Sequence, residues 1–199
     1  MRVPDEIRKC VVFLGYQMAD GTRKVVGTAL YLECELPACR SSCLITARHV
    51  VNGIRKLGLT DVHIRLNQAN GEAKWYSSKI EQWFFPSDPS LDAAVLPALV
   101  PVGSDHLVLT LSTIITPSVA TELNIGVGEE VFVTGLFAHH VGNHRNAPIV
   151  RIGNLAAYPE ERIQTGEFGE IDAYLIEARS IGGLSWVACV RAHRAGPLV

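Results

Sequence analysis

Apolar residues in this chain arrive in short runs cut by turn residues, and helix-period stretches are scarce. That pattern belongs to a sandwich or barrel of strands, not to packed helices. Runs at 11–16, 25–32, 43–46, 62–66, 75–80 and 93–96 read as strands, with Gly27 inside the second. Together they are enough to close a small barrel. Asp20-Gly21 and Asn70-Gly71 read as hairpin turns. Residues 50–56 read as one short helical turn.

The text changes at 97–121. Pro97, Pro101, Gly103 and Pro117 punctuate it, with a single apolar run at 107–111, and it reads as a crossing linker. A second β series follows: 129–135 after the Gly126-Val127-Gly128 turn, then 149–155 and 173–177, then a loop at 180–183. The fold expected is all-β. It has a first β-barrel at 1–100, an inter-barrel linker at 101–122 and a second, incomplete β-barrel at 123–199.

A length of 199 residues suits one large all-β domain or two small ones. With 48% apolar and 19% charged residues there is material for one or two cores. The net charge of −2, with scattered basic residues, offers no stripe for nucleic acid or anionic lipid. No run approaches a membrane span, and Met1-Arg2-Val3-Pro4-Asp5-Glu6 is not followed by the apolar core of a secretory signal, so the expected location is cytoplasmic. The five cysteines, Cys10, Cys34, Cys39, Cys43 and Cys189, then read as free thiols. The spacing of Cys34, Cys39 and Cys43 is not that of paired metal ligands, and no metal or organic cofactor is called for.

Three short segments carry chemistry. Cys43-Leu44-Ile45-Thr46-Ala47-Arg48-His49 is an apolar strand that delivers a histidine at its end, where a tight turn can project it into a cleft. Ser90-Leu91-Asp92-Ala93-Ala94-Val95-Leu96 places an aspartate before a buried strand. Gly182-Gly183-Leu184-Ser185 places glycine two residues before a serine, where the backbone can turn sharply. Each has a plain alternative: a surface or capping histidine, a turn aspartate, a loop serine. Acyl transfer at neutral pH needs a nucleophile, a base and a group that orients the base. The order His, Asp, Ser, with the first two in the first barrel and the third in the second, points to that chemistry.

With these segments in place the sequence resembles the trypsin-like (chymotrypsin-fold) serine peptidases. Gly27-Thr28-Ala29 with Leu44-Ile45-Thr46-Ala47-Arg48-His49 resembles the strand pair that delivers their histidine. Leu91-Asp92-Ala93-Ala94-Val95-Leu96 resembles their Asp-Ile-Ala-Val-Leu segment, and Gly183-Leu184-Ser185 the first half of Gly-x-Ser-Gly. The likeness runs from about Val11 to Ser185 and is closer to bacterial members than to secreted digestive enzymes. It implies two perpendicular six-stranded barrels with the site in the cleft between them. It also implies a peptide or protein substrate, with His49 as base and then acid, Asp92 orienting it and Ser185 as nucleophile. The backbone N–H groups of Gly183 and Ser185 would form the oxyanion hole. Where secreted relatives carry an acidic residue to pair a new N-terminal ammonium, this chain has Leu184, so activation of that kind is not expected.

After Ser185 the family expects Gly, Ser or Gly, then Pro, but the chain reads Trp186-Val187-Ala188-Cys189-Val190 and ends at Val199. Dropping the first base of the Trp186 codon opens a frame that permits Gly-Ser-Pro and then Ala or Val. A frameshift from Trp186 on is one account, and a diverged tail is the other. A frameshift predicts a second barrel with open edges and low solubility. It also keeps alive a rival reading, an inactive peptidase-like module that at most binds a partner. An unrelated small β-barrel binding module is the third. His139, His140 and His144 read as a polar loop, and Trp75, Trp83, Phe84 and Phe85 as core and rim packing.

Overall fold

Strand β1 (Val11–Gln17) opens with five buried residues in a row. Such a strand has apolar layers on both faces. In the computed structural model, which describes residues 5–36, 39–158, 161–165, 169–171, 173–178 and 184–191, β1 lies inside one large antiparallel sheet. Its other members are β2 (Arg23–Leu36), β3 (Cys39–Thr46), β4 (Asp61–Asn67), β5 (Ala73–Lys79) and β6 (Ala94–Pro97). The order is β5-β4-β1-β2-β3-β6. Phe84, just beyond β5, bridges Val95 of β6 and so draws the two edges of the sheet together. Val12, Leu14, Leu44, Val62, Leu66 and Ala94 fill the interior with the buried face of helix α1 (Arg48–Lys56).

That helix is longer than the single turn expected over 50–56: it starts at Arg48 and runs nine residues. Ala47 gives it no side-chain cap, so burial of Val50, Val51 and Ile54 on one face carries it. Arg55 and Lys56 suit the negative end of its dipole. Gly58, at φ +76, stops it in the left-handed conformation, with its N–H on the Arg55 carbonyl (2.9 Å).

The crossing segment is not a bare linker. A 3-10 turn at Leu111–Thr113 and helix α2 (Pro117–Glu122) interrupt it, the helix started by the Thr116 hydroxyl and a proline in its first turn. It is strapped to the first sheet: Leu109 donates to the Tyr31 carbonyl (2.9 Å) and accepts from Glu33 N–H (2.7 Å). The apolar run at 107–111 therefore serves as an added edge, a use that its proline-rich surroundings conceal. A 3-10 helix at Asp5–Cys10, ahead of β1, was also not foreseen.

The second half holds β7 (Glu130–Phe137), β8 (Ile149–Ala157), β9 (Ile163–Thr165), β10 (Gly169–Ile171), β11 (Leu175–Ala178) and β12 (Leu184–Arg191). Among the described residues β11-β8-β7-β12 form one sheet, and β9 with β10 a separate hairpin, which was not foreseen. Val11, Phe13 and Leu136 form the apolar joint between the two sheets. Beside it lies a buried polar joint. Arg65 of β4 donates to the carbonyls of Gly142 and Asn143 (2.8 Å each). Asn67 accepts from Asn146 N–H (2.6 Å), and Asn146 donates back to the Arg65 carbonyl (2.7 Å). Guanidinium and amides thus satisfy the backbone of a loop that would otherwise be buried unpaired.

Trp83 is core, its indole N–H on the Ser78 hydroxyl (3.0 Å), whereas Phe84 is exposed. Cys10, Cys34 and Cys43 are free, the thiols of the last two facing each other at 2.7 Å. Burial pushes the Cys43 thiol up to about 11, the neighbouring Cys34 adding to it. No helix among the described residues is long and apolar enough to cross a membrane.

Candidate active site

Thr46 closes β3 by donating its hydroxyl to the Thr28 carbonyl on β2 (2.6 Å). Ala47 is extended, Arg48 turns into α1, and His49 stands in the first turn of the helix rather than in a turn after the strand. Gly27 of β2 lets the helix lie this close. A Cβ there would come within 2.6 Å of Val50 Cγ1 and 2.9 Å of Cγ2. Only glycine leaves room for the residue that follows the histidine.

Asp92 comes from a loop with a narrow neck. Phe84 and Val95 exchange both backbone hydrogen bonds (2.8 and 2.9 Å), and residues 85–94 bulge out between them. Within the loop the Asp88 carboxylate accepts from the N–H (2.9 Å) and hydroxyl (2.7 Å) of Ser90. Those bonds hold the Asp88 carboxyl below the usual carboxylate range.

The two candidates meet. Asp92 Oδ2 lies 2.6 Å from His49 Nδ1, and Oδ1 accepts the His49 backbone N–H at 2.9 Å. An ionised carboxylate is acceptor only, so Nδ1 carries the ring proton and Nε2 is the basic nitrogen. The backbone contact fixes Asp92 against the helix turn, and the ring is then oriented by a carboxylate that cannot swing away. The side chains are 48% and 26% exposed, so the pair sits at the surface of the first sheet.

Ser185 is the second residue of β12, opposite Leu136 of β7. Strand β12 also runs against β2, the strand beneath α1. Its ladder shifts register between Trp186 and Ala188, an irregularity that begins one residue after the serine. Gly183 and the loop at 180–183 lie outside the described residues. Leu184 opens β12 opposite Phe137.

The remaining polar features stand apart from this pair. Gln17, Gly58, Thr60, Asp61, His63 and Ser77 line a cavity of about 380 Å³ that includes neither His49 nor Asp92. His139 packs edge-on against Phe137 (5.4 Å), and the His144 carbonyl accepts the Ala73 N–H (2.7 Å). Among the described residues no three His, Cys, Asp or Glu side chains gather in a way that could hold a metal ion.

Arg48 is a residue that sequence reasoning quoted but gave no role. Its Nη2 donates to the carbonyls of Pro86 (2.6 Å) and Asp88 (3.2 Å), inside the loop that presents Asp92. The one signal was its place: a cation between an apolar strand and the apolar face of a helix.

No family model matches the sequence, and no curated protein matches it. Among solved structures the chain is similar to that titled "Crystal structure of Deg5", with 16% identity and a TM-score of 0.61. The match covers 94% of this chain and 76% of that one. At such identity the likeness shows the fold: this chain has the all-β trypsin-like fold expected from its sequence.

Proposed function

We propose that the chain is a serine endopeptidase that hydrolyses peptide bonds by acyl transfer. His49 takes the proton of the Ser185 hydroxyl as the serine attacks the scissile carbonyl. It then returns that proton to the leaving amine, and repeats the cycle with water. Asp92 holds the imidazole in the Nδ1–H tautomer and stabilises the imidazolium. The backbone N–H groups of Gly183 and Ser185 receive the oxyanion.

The observation that carries this reading is the double engagement of Asp92, one oxygen on the His49 ring and the other on its backbone N–H. A chance surface pair has no reason to use both. The fold shared with the Deg5 structure agrees with it, and the likeness of the sequence to trypsin-like peptidases makes peptides the proposed substrate. A division into a first barrel at 1–100, a linker at 101–122 and a second barrel at 123–199 belongs to the same proposal. The test is labelling by a fluorophosphonate. Ser185 should be modified in the native chain and not in Ser185→Ala, and absence of labelling in the native chain would sink the reading.

A second reading rests on a specific observation. The backbone of Ser185 sits in a strand ladder opposite Leu136, and bulky Trp186 follows where the resembled family has glycine. A peptidase-like module that binds a peptide without cutting it fits that arrangement. Peptide binding with no labelling, unchanged by Ser185→Ala, would select it.

A further inference from the structure

We infer that Arg48 is a positioning residue, a clamp that holds the 85–94 loop against the first turn of α1 and so keeps Asp92 on His49. The role in the reaction rests on the peptidase reading above. The clamp itself rests on geometry alone.

The loop is anchored to the sheet at its ends, by the neck of Phe84 with Val95 and by Ala94 opposite Thr46. Asp92 is three residues inside that neck and Asp88 four residues further in. One nitrogen of the Arg48 guanidinium donates to the carbonyls of both Pro86 and Asp88, which follow Phe84 on the limb opposite Asp92. The Asp88 carbonyl is also the acceptor for Leu91 N–H (3.3 Å), in the turn that leads to Asp92. Arg48 therefore grips a turn that sits directly before the aspartate. Charge-assisted bonds to carbonyls are stronger than neutral ones and short when well made.

A second contact locks the same surfaces. Arg48 and Arg55 lie two helical turns apart on α1, and both guanidinium groups stack near the Phe85 ring, at 6.0 and 5.3 Å from its centroid. Phe85 is the first residue of the loop, so helix and loop are joined at its start by stacking and in its middle by hydrogen bonds. His49, immediately after Arg48, receives Asp92 from the same loop. Helix turn, loop and ion pair thus form one unit. Its hub is Arg48, which bonds the loop at Pro86 and Asp88 and lies over Phe85.

The test compares Arg48→Met, which keeps the stem on Phe85 but has no donors, with Arg55→Ala, which removes a stacking partner but no bond to the loop. Two readouts are used: the low-field proton resonance of His49 Nδ1–H and the rate of fluorophosphonate labelling at Ser185. In Arg48→Met the resonance should broaden or vanish, and labelling should slow by ~10-fold or more, because small misplacements of an orienting group are costly. Arg55→Ala should leave the resonance in place and change labelling less than ~2-fold, and Arg48→Lys should restore part of both readouts. A folded Arg48→Met chain with an unchanged resonance overturns the clamp. If the native chain is not labelled at all, the peptidase reading falls, and the resonance still judges the clamp. If Arg48→Met does not fold, the native chain decides: guanidinium protons held by two carbonyls give resolved, exchange-protected signals, and rapidly averaged signals overturn the proposal.

Discussion

The two halves of this molecule are built from similar strands but differ in how fully each is used. In the first sheet β4 buries five of its seven residues, and β1 does the same. In the second, β7 buries six of its eight residues, but its neighbour β8 alternates, with Gly153 and Leu155 buried and Ile152 exposed at 48%. Tyr174, Leu175 and Val127 are also exposed on this side. The difference teaches where precision resides. His49 and Asp92 belong to the half whose interior is filled and whose edges meet. Ser185 is carried by β12 at the margin of the second sheet. The strand is anchored through β7 and its passage beside β2.

The sharpest break of that comparison is chemical. His49→Ala should lower peptide hydrolysis by about 10⁴-fold and Asp92→Asn by a similar factor, while leaving the melting curve nearly in place. A folded His49→Ala chain with undiminished hydrolysis would detach activity from the first half altogether and revive the unrelated binding-barrel reading.

The next effect is on stability. Leu44, fully buried in the first core, should cost about 3 kcal/mol when replaced by alanine. Leu155, 6% exposed on a thinly covered sheet, should cost ~1–2 kcal/mol. Urea denaturation of both variants would show it, and equal losses would mean that the two halves are equally well packed.

A third test uses pH. His106, in the segment strapped to the first sheet, packs edge-on against Tyr31 at 5.1 Å, and its Nε2 has no hydrogen-bond partner among the described residues. Burial lowers its pKa to about 4, with the Asp105 carboxylate opposing the shift. The unfolded chain therefore takes up this proton first. The stability is present above the ordinary imidazole value of 6.5 and is lost as pH falls from there to about 4. The loss should reach ~3 kcal/mol and flatten in His106→Phe, as read from denaturation midpoints across that range. An unchanged pH slope in the variant would place the strap outside the first cooperative unit.

Gly27→Ala tests the seat of α1. The new methyl meets Val50 at 2.6 Å, so the helix must move, at about 1–3 kcal/mol and with slower labelling of Ser185. A crystal structure with His49 unmoved would show that Val50 yields instead. The smallest effect is expected at Lys9, paired with Asp105 at 2.7 Å on the surface, where the side chains are 45% and 24% exposed. Lys9→Met should change stability by less than ~1 kcal/mol, and less still in high salt.

Much of the site was legible because its segments are local. An apolar strand ending in Thr46-Ala47-Arg48-His49, and an aspartate before the apolar run at Ala94, declare themselves by burial pattern and order alone. The helix length was not legible. Nothing caps α1 at Ala47, and its start is set by what Val50, Val51 and Ile54 can bury. The pairing of the crossing segment was not legible for a related reason. Prolines and glycines mark where a chain cannot be regular, but not what its backbone will pair with. Leu109 finds Tyr31 and Glu33 across more than seventy residues of sequence.

The amino-acid sequence by itself determined the class of structure. Short apolar runs cut by turn residues leave an all-β chain as the way to bury those side chains, and the order of His49, Asp92 and Ser185 selects among β folds. Only the tertiary structure decided that Asp92 uses both oxygens on His49 and that Gly27 makes room for α1. It alone placed Arg48 across a loop forty residues away. These are contacts between distant segments. Their energies depend on distances of a few tenths of an ångström, and no local pattern of residues encodes those distances.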